Sequence, residues 1–226
     1  QEGWAEYVYC SVKEGLSDKK AEKMFEKRMV AYAEMAEELE DEVGMVMLWP
    51  FYTNEEMRGG DDMFFVTHAP TMKALGEHNM AMWAAQEENK LPESPLECDN
   101  ASTAFQRVGP SSTDEVTDSF VVDYYPCTYK EGADPMAMRT AQATFAKEHY
   151  ANGAQGGYRY IYPADGSPRG EGPDFWVSTS SPDLATWGES TDIFWETSYG
   201  SEAERERWNH MTCDSNSTWY GWRVHN

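Results

Sequence analysis

Five histidines and four cysteines are the residues of this 226-residue chain best equipped for chemistry. Histidine titrates near neutrality and its ring nitrogens bind metals, so His68, His78 and His149 are candidates for acid, base or ligand roles. His210 and His225 read as surface residues. Thirteen methionines, densest in His78-Asn79-Met80-Ala81-Met82, suggest Cu(I), for which thioethers are soft ligands. On a helix, however, Met80 and Met82 point about 200° apart and cannot close on one ion, which leaves methionine as core filler. No two cysteines lie within four residues of each other, which argues against zinc. The chain contains no nucleophile elbow, phosphate loop, dinucleotide fingerprint or His-Glu-x-x-His pattern. Conventional hydrolase and nucleotide chemistry is unsupported, and no cofactor follows from a motif.

The elements that must position these residues come in two sets. Tyr9-Cys10-Ser11-Val12-Lys13-Glu14-Gly15 matches Pro126-Cys127-Thr128-Tyr129-Lys130-Glu131-Gly132 at an offset of 117. Gly44 and Leu48-Trp49-Pro50 match Gly157 and Ile161-Tyr162-Pro163 at 113. Asp62, Pro70, Gly76 and Trp83 match Asp174, Pro182, Gly188 and Trp195 at 112, and Cys98-Asp99 matches Cys213-Asp214 at 115. So narrow a drift points to one unit copied and diverged.

Both sets read in one order. Residues Tyr7 to Val12 and Phe120 to Tyr125 are rich in Val and Tyr, as strands are. A helix follows, in which Ala21, Met24, Phe25, Arg28, Tyr32, Met35 and Leu39 recur at three- and four-residue spacing behind Ser17 and Asp18. Its counterpart opens on Asp134-Pro135, an N-cap and a first-turn proline. His149 takes the position on this helix that Tyr32 holds on the first, facing the sheet. Two strands come next, Met45 to Tyr52 and Met63 to Thr67 around Arg58-Gly59-Gly60-Asp61, then Tyr158 to Tyr162 and Phe175 to Ser178 around Asp165-Gly166-Ser167-Pro168. A second helix spans about Thr71 to Glu88 and about Pro182 to Glu196, and a last strand follows Cys98 and Cys213. Strand, helix, strand, strand, helix, strand is the ferredoxin-like unit. The expected fold class is α+β, with two tandem units at 1–113 and 114–226 joined by a linker from Gly109 to Thr117.

In such a sheet the first and last strands are antiparallel neighbours. Cys10 ends the one and Cys98 precedes the other, and Cys127 and Cys213 repeat the relation. The expected disulfides are therefore Cys10–Cys98 and Cys127–Cys213, which implies an oxidising compartment. Asn100-Ala101-Ser102 and Asn216-Ser217-Thr218 fit the glycosylation pattern, so Asn100 and Asn216 are acceptors in a glycosylating host.

The formal charge of -22 argues against nucleic acid and anionic membranes, which need clustered Lys and Arg. The run Glu37 to Glu42 reads as a solvated helix face, and no calcium-loop spacing is present. No apolar run reaches eighteen residues, so no segment reads as spanning a membrane. A start at Gln1 followed by strand-like sequence is what signal-peptidase cleavage would leave, and the expected location is secreted or periplasmic.

Gly44-Met45-Val46-Met47-Leu48, Asp62-Met63-Phe64-Phe65-Val66-Thr67 and Ala74-Leu75-Gly76-Glu77-His78 resemble the dimeric α/β-barrel superfamily of antibiotic-biosynthesis-type monooxygenases and stress-responsive barrel proteins. The resemblance implies paired sheets, a pocket between sheet and helices, and a role for His78 as a pocket acid or haem ligand. The second set has Ser190 in place of His78. With His68, His78 and His149, the pocket candidates are Tyr32, Trp83 and Trp195. Nine tryptophans and thirteen tyrosines exceed what two small cores need and would line a pocket or a subunit contact. The leading expectation is a non-catalytic secreted protein that binds a small apolar ligand or associates with itself. The second is an oxygenase or haem-type enzyme with His78 or His149 in its pocket.

Overall fold

The computed structural model describes residues 2–39, 42–54, 58, 60–113, 117–167 and 172–225. Gln1, Glu40-Asp41, Gly59, Pro168 and the start of the second expected domain at residue 114 lie outside them. By internal packing the chain divides into two compact units, one of residues 1–105, 164–167 and 222–226, the other of 106–163 and 168–221.

The first unit runs β1 (Gly3–Val12), α1 (Asp18–Leu39), β2 (Gly44–Tyr52), β3 (Met63–Ala69), α2 (Met72–Glu87) and the beginning of β4 (Leu96–Ser111). Its sheet order is β4-β1-β3-β2, with β3 antiparallel to both β1 and β2. Along β1, Ala5 and Tyr7 are buried on one face and Cys10, an odd number of residues further on, is buried on the other. Cys10 meets a core in which Met45, Met47, Met63 and Phe65 pack with Phe25, Met29 and Tyr32. Methionine is core filler here, as its flexible thioether suits irregular gaps. Met80 is 67% exposed while Met82 is buried, so the two do point apart.

The second unit contains β5 (Ser119–Tyr129), α3 (Pro135–Ala151), β6 (Gly157–Pro163), β7 (Phe175–Ser181), α4 (Leu184–Ile193), a π-helical turn at Phe194–Ser198, α5 (Glu202–His210), β8 (Met211–Cys213) and the beginning of β9 (Ser217–His225). β7 is antiparallel to β5 and β6, and β5 also pairs with β8 and β9. Local chemistry starts each helix. Asp134 accepts the Met136 N–H at 2.9 Å with Pro135 in the first turn, Asp183 accepts the Thr186 N–H at 2.8 Å, and Ser201 accepts the Glu204 N–H at 3.0 Å.

Disulfides join Cys10 to Cys98 and Cys127 to Cys213, and Cys127 and Cys213 face each other across the β5–β8 ladder. Two features depart from expectation. Residues Gly109 to Ser111 are the end of β4 rather than linker, because the missing side chain of Gly109 admits Tyr158, whose Cβ would otherwise lie 3.0 Å from a Cβ there. The helix α5 was not expected, yet Ser201-Glu202-Ala203-Glu204 is a capping-box pattern that marks its start.

Candidate functional site

Helices α3, α4 and α5 cover one face of the second unit's sheet and leave a cavity of about 430 Å³, within the range of small-molecule and cofactor sites. Its walls are mostly aromatic and aliphatic, with Phe145, Trp187, Phe194 and Trp208 against Val177, Tyr158 and Met211. Burial pushes the Tyr158 phenol up to about 12, with Asp123 adding to it and Arg207 opposing, and raises Tyr125 and Tyr150 further. All three phenols stay neutral donors at neutral pH.

His149 enters the cavity from α3. Its Nδ1 lies 3.0 Å from the Ser198 hydroxyl, and Nε2 has no hydrogen-bond partner among the described residues. Phe145 stacks on the ring at 5.7 Å and Phe194 meets it edge-on at 6.3 Å. Ser198 reaches the imidazole because the backbone widens into the π-helical turn after α4, and such turns are frequent at functional sites. Burial first, then the nearby Arg207 charge, lowers the His149 pKa from 6.5 to about 4, so the ring is neutral at pH 7.

A pH dependence follows. Between pH 6.5 and 4 the unfolded chain takes up a proton that folded His149 refuses, so stability falls as pH drops through that window. The expected loss from pH 7 to pH 4.5 is about 2 to 3 kcal/mol from this group. Urea midpoints at the two pH values measure it, and His149→Phe should remove this part of the slope.

Arg207 comes from α5. Its guanidinium lies 3.8 Å from the Phe145 ring centroid and 4.3 Å from that of Trp208, with Glu204 3.8 Å away. Asp123, on β5, is the buried anion of the cavity. It accepts from Thr218 Oγ1 at 2.5 Å, Trp187 Nε1 at 2.9 Å, Asn216 Nδ2 at 3.1 Å and Thr179 Oγ1 at 3.4 Å. Four donors and no cation hold this carboxylate as an acceptor hub joining β5, β7, α4 and β9.

The candidates from sequence scatter. His149 and Trp195 line the cavity. Tyr32 and His78 are bonded to each other at 2.7 Å in the first unit and do not line it. At the positions that the offsets align, Tyr32 and His78 become His149 and Ser190. Serine is too small to fill the space of an imidazole, and its hydroxyl bonds to the Gln155 backbone instead. In the first unit Tyr32 and His78 form a hydrogen-bonded pair, and in the second His149 and Ser190 both line the cavity. His68 sits in β3 opposite Ala5 and Gly44, away from the cavity. Trp83 is 66% exposed on α2 and does not line the cavity. Asn216 is engaged with Asp123 and lines the cavity, while Asn100 is exposed on β4.

Asp123, Arg207 and Trp187 were not anticipated. A single aspartate in the strand Phe120-Val121-Val122-Asp123-Tyr124 was a usable signal, as a lone charge amid strand-forming residues.

No family model matches the chain, and neither does any curated protein. Solved structures share its fold, a ferredoxin-like α+β arrangement. A mutant chlorite dismutase from Candidatus Nitrospira defluvii is similar at a TM-score of 0.57 and 8% identity, over 99% of this chain and 94% of that one. A heme-binding protein from Thermus thermophilus is similar at 0.53 and 14%, over 99% and 92%. A dye-decolorizing peroxidase from Bacteroides thetaiotaomicron is similar at 0.55 and 9%, over 99% and 94%.

These findings correct two expectations. The likeness is not to the antibiotic-biosynthesis monooxygenase type specifically. The expectation of a non-catalytic protein for a small apolar ligand or self-assembly is overturned, because the fold is shared along nearly its whole length with proteins named for haem binding and catalysis. The cavity agrees with that correction, since it presents an imidazole, a guanidinium and a carboxylate rather than apolar walls alone.

Proposed function

We infer that this chain is a haem-type enzyme or haem-binding protein whose cofactor occupies the cavity of the second unit. The observation that carries the reading is His149, a neutral, buried imidazole fixed through Nδ1 by Ser198, with Nε2 unpartnered on the cavity wall. When Nδ1–H donates to Ser198, the lone pair rests on Nε2, which is the arrangement that orients a metal-binding histidine. The donor set fits the group. His149 Nε2 would hold the iron, Phe145, Phe194, Trp187 and Trp208 would flank the macrocycle, and Arg207 would meet its acidic groups. Haem, when bound, supplies one-electron and oxygen or peroxide redox chemistry.

The chain's own residues do the rest. Ser198 fixes the imidazole plane, and the aromatic walls exclude bulk water. Arg207 supplies a fixed positive charge at the inner wall, and Asp123 locks Trp187 and Asn216 in place. The two disulfides support an oxidising compartment. The shared order of elements and the matched disulfides support descent of the two units from one duplicated ancestor.

Titration of the purified chain with haem tests the reading. A saturable Soret band at one haem per chain is expected. The double variant His149→Tyr with Ser190→His rebuilds the filled arrangement of the first unit and should lower affinity at least a hundredfold. Equal binding by both proteins would overturn the assignment.

A further inference from the structure

Where the cavity meets solvent, Trp195 stands on the π-helical turn and Tyr199 directly after it, with ring centroids 4.8 Å apart and each 61% exposed. Trp195 also lines the cavity, so one ring serves as interior wall and outer surface. Phe194, between them and the interior, touches Trp195 at 5.2 Å, Tyr199 at 6.0 Å and Phe145 at 6.2 Å. An unbroken run of aromatic faces thus leads from the His149 side of the cavity to the surface. Exposed aromatics of this size are normally covered or used.

The charges around the pair select what can use it. Residues 184–203 carry Glu189, Asp192, Glu196 and Glu202, all exposed, and no lysine or arginine. The inner wall carries both signs, with Arg207 over Phe145, Glu204 3.8 Å from that guanidinium, and Asp123. A ligand entering past Trp195 meets aromatic faces in a negative field first. An anion is repelled at the mouth and a cation is attracted there.

We propose that Trp195 and Tyr199 form an entry platform for a planar aromatic cation, which stacks its charged end on these two rings and directs its neutral aromatic end into the cavity. Cation–π attraction and the surrounding carboxylates favour the charged end outside, and ring stacking favours the other end inside. This names a substrate class for the cavity assigned above and rests on that cavity being the site. It does not require haem to be bound.

The test uses the intact chain, with and without haem, and two flat dyes of similar size. Methylene blue is the cationic probe and an anthraquinone sulfonate the anionic one, followed by quenching of tryptophan fluorescence and by calorimetry at 0.15 M salt. One saturable site for methylene blue is expected, at least tenfold tighter than for the sulfonate. Trp195→Ser with Tyr199→Ser should weaken the cation at least tenfold with an unchanged thermal midpoint, since both side chains are exposed. Trp83→Ser, at an equally exposed tryptophan elsewhere, should change nothing. Equal affinity for the two dyes, or undiminished cation binding by the double variant, would overturn the proposal. A chain that binds methylene blue this way but gives no Soret band would refute the haem reading and leave the platform standing.

Discussion

Loss of the Cys127–Cys213 disulfide is expected to destabilise the second unit by about 4 to 5 kcal/mol, the chain-entropy value for a loop of 86 residues. The bond's position enlarges its effect on the site. It fastens the last residues of β5 to β8, a strand of three residues that follows directly on α5. Arg207 and Trp208 sit on that helix, and Met211 begins the strand, so one cross-link holds three side chains of the cavity wall. Urea unfolding of the Cys127→Ser, Cys213→Ser double variant measures the loss. Ligand affinity should fall in the same variant even where it remains folded. The corresponding Cys10→Ser, Cys98→Ser variant should lose similar stability and leave the cavity intact.

Asp123 carries the second large effect. Its carboxylate is buried, and Asp123→Leu would remove the acceptor of Thr218, Trp187 and Asn216 together, leaving Thr218 fully enclosed without its short bond. Each orphaned donor costs about 1 to 3 kcal/mol, so a loss of about 3 to 5 kcal/mol is expected. Thr218→Val, which deletes one donor and keeps the carboxylate satisfied, should cost only about 1 kcal/mol. Thermal and urea unfolding of both variants give the comparison. Near-equal losses would mean that Asp123 is not the hub that its contacts describe.

Much of the framework was legible because it rests on local signals. Asp134-Pro135 announced α3, Val and Tyr content announced β1 and β5, and the expected adjacency of first and last strands announced which cysteines pair. The helix α5 was legible too, in Ser201 and Glu204, but a short polar helix buries little and leaves a weak apolar pattern. The cavity was not legible. Ser190 is one of its lining residues, and the volume beside a small side chain has no signature in a single sequence. His149 was visible as a candidate because the offsets set it opposite Tyr32, but its partner Ser198 depends on a π-helical turn that no spacing rule signals. Arg207 escaped notice because a guanidinium on a polar helix reads as surface until the packing of Phe145 beneath it is known.

The account stands on His149 presenting Nε2 to the cavity, and replacement of that side chain tests it directly. His149→Gly leaves a space that free imidazole can enter. The expected result is loss of the haem Soret band and of low-spin or five-coordinate histidine signatures in the variant, with both restored by millimolar imidazole but not by cyclopentane-sized apolar additives. A variant that binds haem with an unchanged spectrum and no response to imidazole would contradict the account.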